Sequence, residues 1–123
     1  MEKRVFLCVD GFFAKSDEIF LLKRNVEPFK GFWACVGGFI ESNETPQQAL
    51  RREFKEETNL DVEVGDYISN RLEETSDRIK LILTFRVIAA KGEIKLSDES
   101  QDCGWFKVLP PNCVYGYDKF LIK

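Results

Sequence analysis

Several runs of β-branched and aromatic residues, one strongly signalled helix and no regular alternation between the two predict an α+β sandwich rather than a doubly wound sheet. Three observations carry this: two apolar runs flanking Lys15-Ser16-Asp17, a helix-capping sequence at Thr45 to Gln48, and a long β-branched run at Ile79 to Ala90. At 123 residues, the chain suits a single domain over 1–123. Folding at that length buries roughly two-thirds of the chain's surface, and a second domain would have no core of its own.

Taken in order, Val5 to Phe13 predicts a first strand and Glu18 to Arg24 a second, paired antiparallel across the polar connection. Asn25 to Gly31, with Pro28, predicts a loop. Phe32 to Ile40 predicts a strand that runs through Gly37-Gly38, and a double glycine there marks a close approach of backbone to something else. Thr45 as N-cap, Pro46 at the first helical position and Gln48 three residues after the cap start a helix that runs to about Thr58. Asn59 stops it, because Asn tolerates the left-handed conformation beyond a C-cap. Strands follow at Val62 to Ser69, at Ile79 to Ala90 and, briefly, at Gly104 to Lys107; Tyr115 to Ile122 predicts a C-terminal helix.

The chain has no histidine, which excludes Ser-His-Asp and Cys-His catalysis and any histidine-ligated zinc or haem. Carboxylates must therefore serve as acid, base or metal ligands. Twenty-one acidic against 18 basic residues, a net charge of −3 and a pI near 5.1 argue against a surface that coats a nucleic-acid polymer. An anionic small molecule can still bind if something brings positive charge. Cys8, Cys35, Cys103 and Cys113 form no C-x-x-C pair and read as reduced, mostly buried thiols of a cytoplasmic protein. The apolar run from Val5 stops at Asp10, too short to span a membrane.

On a helical wheel with Glu53 at zero, Glu56 falls at about −60° and Glu57 at about +40°. They share that side with Ala49, Leu50 and Phe54, whereas Gln48, Arg51, Lys55 and Thr58 lie opposite. An ordinary charged helix would use Arg52 and Glu56 as an i,i+4 pair. Glu56 and Glu57, however, sit in the last turn, where the helix dipole opposes negative charge. Carboxylates about 5 Å apart also repel by roughly 3 kcal/mol at an effective dielectric of 20. With Arg52 expected to neutralise only one neighbour, the cluster calls for a hard, oxygen-preferring cation, Mg²⁺ or Mn²⁺. Such an ion would also bring the positive charge that a pyrophosphate needs.

The stretch Gly38 to Glu44, followed by Arg52-Glu53-Phe54-Lys55-Glu56-Glu57-Thr58-Asn59-Leu60, closely resembles the Nudix box, G-x5-E-x7-R-E-U-x-E-E-x-G-U, with U a bulky aliphatic residue. Phe54 replaces an aliphatic residue and Asn59 the glycine. The resemblance implies a Nudix-type α/β/α sandwich with a mixed, largely antiparallel sheet, and a pyrophosphohydrolase acting on a nucleoside diphosphate linked to another moiety. Glu53, Glu56 and Glu57 match the family's metal-binding glutamates, Glu53 also as a possible base, and Gly37 the residue whose carbonyl joins the coordination. Arg52 and Glu44 match residues that orient the catalytic helix. Glu99 fits the further acidic ligand or base that many members carry, with Asp98 its neighbour and rival.

ADP-ribose or a nucleotide sugar is the first expectation for substrate, although Ser76 stands where many ADP-ribose enzymes carry proline. A MutT-like activity on oxidised or normal nucleoside triphosphates is the alternative, and a non-catalytic nucleotide-binding module is the alternative of another class. Arg24 is a candidate phosphate contact and Phe29, or Phe12, a stacking partner for a base. A homodimer is compatible with the ADP-ribose branch.

Overall fold

A computed structural model describes residues 2–114. The strands are β1 (Arg4–Lys15), β2 (Glu18–Arg24), β3 (Trp33–Ala34), β4 (Gly37–Phe39), β5 (Asp61–Glu74), β6 (Arg78–Lys91) and β7 (Ser100–Phe106), with one helix, α1 (Pro46–Thr58), between β4 and β5. The expected helix at Tyr115 to Ile122 lies outside the described residues.

β1 ties two sheets together. Its residues Arg4 to Phe13 run parallel to β6, Cys8 to Asp10 pair antiparallel with β4, and its end, Ala14 and Lys15, pairs with β2. β2 in turn carries β3 and β7, and β6 carries β5. The β1–β6 pair is the parallel one and the others are antiparallel, giving the mixed, largely antiparallel arrangement. Successive β1 side chains point to opposite faces. Val9, Gly11 and Phe13 face α1, and Phe6, Cys8 and Asp10 face the other way.

The expected strand from Phe32 to Ile40 is two short strands. Trp33–Ala34 pairs with β2, and Gly37–Phe39 pairs with β1. At Cys35-Val36 the chain crosses from one sheet to the other, kept in place by a hydrogen bond from Gly11 N to the Val36 carbonyl at 3.0 Å. β5 runs five residues past the expected Ser69 end, through Asn70 to Glu74. Charge partners keep that polar stretch extended: Arg71 meets Asp10 at 3.0 Å and Glu74 meets Lys3. β7 likewise starts at Ser100, not Gly104, because Asp102 pairs opposite Lys23 and Ser100 opposite Arg24.

α1 has the expected ends. Thr45 Oγ1 accepts from Gln48 N at 3.1 Å and Gln48 Oε1 accepts from Thr45 N at 2.9 Å. Asn59 is left-handed, φ 68°, and its N–H closes on the Lys55 carbonyl. Phe54 is fully buried, and its place is made by Gly11: a methyl carbon there would lie 2.9 Å from Phe54 Cε2 and 3.3 Å from Leu50 Cδ1. The aromatic ring in place of an aliphatic side chain is thus accommodated by a glycine on the facing strand. It stacks edge-on against Phe13 at 6.2 Å.

Candidate active site

α1 delivers Arg52, Glu53, Glu56 and Glu57 to one wall of a cavity of about 610 Å³. Gly37 and Gly38 of β4 form the floor beside them, and Arg24, Phe29 and Glu99 line the same space. The site residues expected from the sequence thus converge, apart from Glu44, which stands behind Arg52. Phe12 is not part of the lining; it packs with Trp33 and Phe106 in the smaller apolar cluster. Trp105 packs against the main core.

The double glycine is explained by the Glu53 carboxylate. A methyl carbon on Gly38 would sit 2.6 Å from Glu53 Cδ and 2.9 Å from its Oε1, so the bare Cα is what lets the carboxylate rest where it does. At Gly37 the close neighbour is β1: a methyl carbon there would lie 2.7 Å from Asp10 Cβ.

Arg52 does more than the sequence reading allowed, since its fork satisfies several carboxylates at once. Nε and Nη2 take both Glu44 oxygens, at 2.6 and 3.0 Å, and Nη1 reaches Glu53 at 3.0 Å and Glu56 at 3.2 Å. Nη2 also donates to the Phe39 carbonyl at 2.9 Å, which ties α1 to β4. Glu44 is held in turn by the Glu41 N–H, and Arg52 draws its carboxyl below the usual range. The expected Arg52–Glu56 pair is present within this hub, and Glu56 is more exposed than the helical wheel suggested, with 56% of its side-chain surface open.

Glu57 is the most perturbed group. Burial, then a hydrogen bond and charge from Glu53, then the charge of Glu99 push its carboxyl up to about 9, against a smaller opposing pull from Arg24. Glu57 therefore keeps its proton at neutral pH, in a hydrogen bond with Glu53.

The loop after β6 brings Glu99 close by capping α1. Lys95 N donates to the Thr58 carbonyl at 2.9 Å and Ser97 N to the Glu57 carbonyl at 3.2 Å, groups the helix end leaves without intrahelical partners. Two residues later Glu99 faces the cavity. Asp98 does not line it; the Asp98 carbonyl accepts from Asn25 Nδ2 at 2.9 Å. Arg24 sits beside a bulge in the β2–β7 ladder, and its Nε donates to the Pro28 carbonyl at 2.8 Å.

Among the described residues no three carboxylates or thiols are gathered tightly around one ion position. The donor chemistry nevertheless fits a hard divalent cation: the groups are oxygens, and burial together with the neighbouring Glu53 and Glu99 disfavours the charged form of Glu57. A cation would relieve that conflict.

Sequence reasoning missed the basic wall. Arg71, Arg78 and Lys80 line the same cavity from β5 and β6. Asp10 is 4% exposed and anchors Arg71 through Oδ2 while Oδ1 accepts from Thr84 Oγ1 at 2.6 Å. Their signal is the β1–β6 register, which joins residues more than seventy positions apart.

Residues 1–113 match the model of the NUDIX domain. The chain belongs to the Nudix family. It is 34% identical to an ADP-ribose pyrophosphatase of Methanocaldococcus jannaschii, over 94% of this chain and 70% of that protein. It is 30% identical to the nucleoside triphosphatase NudI of Escherichia coli, over 96% of this chain and 89% of that protein. Its fold matches the crystal structure of a MutT NUDIX hydrolase from Burkholderia pseudomallei with a TM-score of 0.86 over 92% of each chain, at 21% identity. As a Nudix hydrolase it is a pyrophosphohydrolase acting on nucleoside diphosphate derivatives, and the described residues contain no helix long and apolar enough to cross a membrane.

Proposed function

We propose that this Nudix hydrolase uses Mg²⁺ or Mn²⁺ to cleave the pyrophosphate linkage of ADP-ribose or a nucleotide sugar, with nucleoside triphosphates as the second candidate. The observation that carries the reading is the hydrogen-bonded Glu53–Glu57 pair, with Glu53 pressed against Gly38, in a cavity that also holds Arg24 and Glu99. The two substrate candidates come from the names of the methanogen and E. coli relatives.

Glu53, Glu56, Glu57 and the Gly37 carbonyl would hold the ion. When bound, it would neutralise phosphoryl oxygens and acidify a water. The remaining work falls to the chain. Arg52 and Glu44 fix the direction from which Glu53 enters the site. Glu53 or Glu99 takes the proton from the attacking water. Arg24 contacts a phosphate, and Phe29, half exposed at the cavity edge, offers a face to the base. The catalytic unit is the whole of 1–123 as one domain, acting on a small molecule in the cytoplasm, and a homodimer is compatible with it.

The test is product release from ADP-ribose, nucleotide sugars and nucleoside triphosphates in the presence of Mg²⁺, Mn²⁺ or EDTA. Metal-dependent cleavage at the pyrophosphate is expected. No turnover of any of these with either metal would overturn the proposal.

A further inference from the structure

On the face of β1 and β6 turned away from α1, three cations sit on two aromatic rings, Arg4 and Arg78 on Phe6 and Lys80 on Phe39. Lys80 Nζ lies 5.4 Å from the centre of the Phe39 ring, and the Arg78 guanidinium lies 4.9 Å from that of Phe6. The rings pack edge to face at 5.8 Å. Lys80, Arg78 and Phe39 line the same cavity as Glu53, Glu56 and Glu57.

The acids of this wall are engaged elsewhere. Asp10 is held by Arg71 and Thr84, Glu73 contacts Arg71 Nε at 3.6 Å, and Glu41 contacts Arg52 at 3.6 Å. Glu73 is the cross-strand neighbour of Lys80, yet among the described residues no carboxylate comes within 4.0 Å of Lys80 Nζ. Arg78 has one long contact, 3.9 Å, to the exposed Asp77. A half-buried ammonium packed on a ring with no acidic partner, in a cavity that otherwise carries an acid excess, is a site for an anion that comes with the ligand.

We propose that Lys80 and Arg78 form a cationic shelf that binds a phosphate carried by the substrate beyond the pyrophosphate held at the glutamates. This rests on the hydrolase reading above and reverses the order of its candidates: the shelf favours a substrate whose outer group is charged, such as a nucleoside triphosphate, over one that ends in a neutral sugar. Lys80 and Arg78 are then specificity residues.

The experiment compares kcat/KM for a nucleoside triphosphate and for ADP-ribose in the wild type, Lys80→Met, Arg78→Gln and Lys91→Met. Methionine keeps an apolar stem over Phe39, and Lys91 is an exposed lysine at the end of β6 that controls for bulk charge. The triphosphate to ADP-ribose ratio is expected to fall at least tenfold in Lys80→Met, to fall in Arg78→Gln, and to stay within twofold in Lys91→Met. A ratio unchanged within twofold in Lys80→Met overturns the shelf. In parallel, calorimetry measures binding of a triphosphate analogue with a methylene in place of the scissile bridging oxygen. Its Kd is expected to rise at least tenfold in Lys80→Met, with a weaker dependence on salt; an unchanged Kd overturns the shelf as well. If the wild type turns over neither nucleotide, the hydrolase reading fails and the binding measurement alone decides the shelf.

Discussion

Replacing Gly38 by alanine should separate catalysis from stability. The new methyl carbon would stand 2.6 Å from Glu53 Cδ, while unstrained carbon contacts begin at about 3.5 Å, so the carboxylate must withdraw by about 1 Å. Misplacement of a reacting group by that much costs on the order of 10²-fold in rate. Stability should barely move. Gly38 is not at positive φ, so alanine recovers about 0.4–1 kcal/mol of unfolded-state entropy, and this offsets the loss of a partly exposed Arg52–Glu53 contact worth about 0.2–1 kcal/mol. Gly37→Ala is the contrast. There the methyl carbon would meet Asp10 Cβ at 2.7 Å and Cα at 2.9 Å, so β4 must lift from β1 at a cost of about 1–3 kcal/mol. Steady-state hydrolysis with Mg²⁺, together with thermal melts of both variants, reads the two effects separately. The reasoning is refuted if Gly38→Ala keeps more than half of wild-type kcat, or if it is destabilised as much as Gly37→Ala.

Glu57→Gln should lower kcat by orders of magnitude with little change in circular dichroism; near-normal turnover would remove Glu57 from the site. Without metal, the Glu57 carboxyl at about 9 in the fold against about 4.5 unfolded means that the native state holds a proton the unfolded chain releases. Its contribution is complete below pH 4.5 and is lost as pH rises towards 9, so the wild type should lose melting temperature over that window relative to Glu57→Gln; parallel pH profiles would contradict it. Arg52→Ala should cost about 1–3 kcal/mol and also activity, because Glu44 and Glu53 lose a shared donor, and Arg52→Lys should recover only part, since an ammonium cannot span both Glu44 oxygens; full rescue by lysine in melts and kinetics would argue against the bidentate role. Gly11→Ala should destabilise by about 1–3 kcal/mol by pushing into Phe54 and Leu50, and Phe54→Leu should be less harmful in that background than in the wild type; strict additivity in a double-mutant cycle would show that the two positions do not share space.

What could be read from the sequence was local. The caps of α1, the left-handed Asn59 and the shared side of Glu53 and Glu57 follow from neighbours within a few residues, and the glycine pair announced a close approach without saying to what. Glu56 was harder to place, because a wheel gives an angle and not the depth of the groove around it. The hub at Arg52 was underestimated because helical spacing shows only Glu56, whereas Glu44 and the Phe39 carbonyl arrive from the preceding loop and strand. The split of Phe32 to Ile40 between two sheets, the length of β5 and the wall of Arg71, Arg78 and Lys80 depend on which strands pair and in what register. No periodicity within a segment records that.

The two faces of β1 have a consequence for how such an enzyme changes over generations. Val9, Gly11 and Phe13 seat the helix that presents the glutamates, while Phe6, Cys8 and Asp10 lie on the other face, where Cys8, Asp10 and the β6 residues Lys80 and Ile82 line the ligand space. Because the alternation is strict, substitutions on the second set can drift towards new ligands without refitting the first. A single inserted residue within the strand would exchange the two sets at once. Descendants of this scaffold should therefore vary freely in composition at Phe6, Arg78 and Lys80 but hold the length of β1 constant.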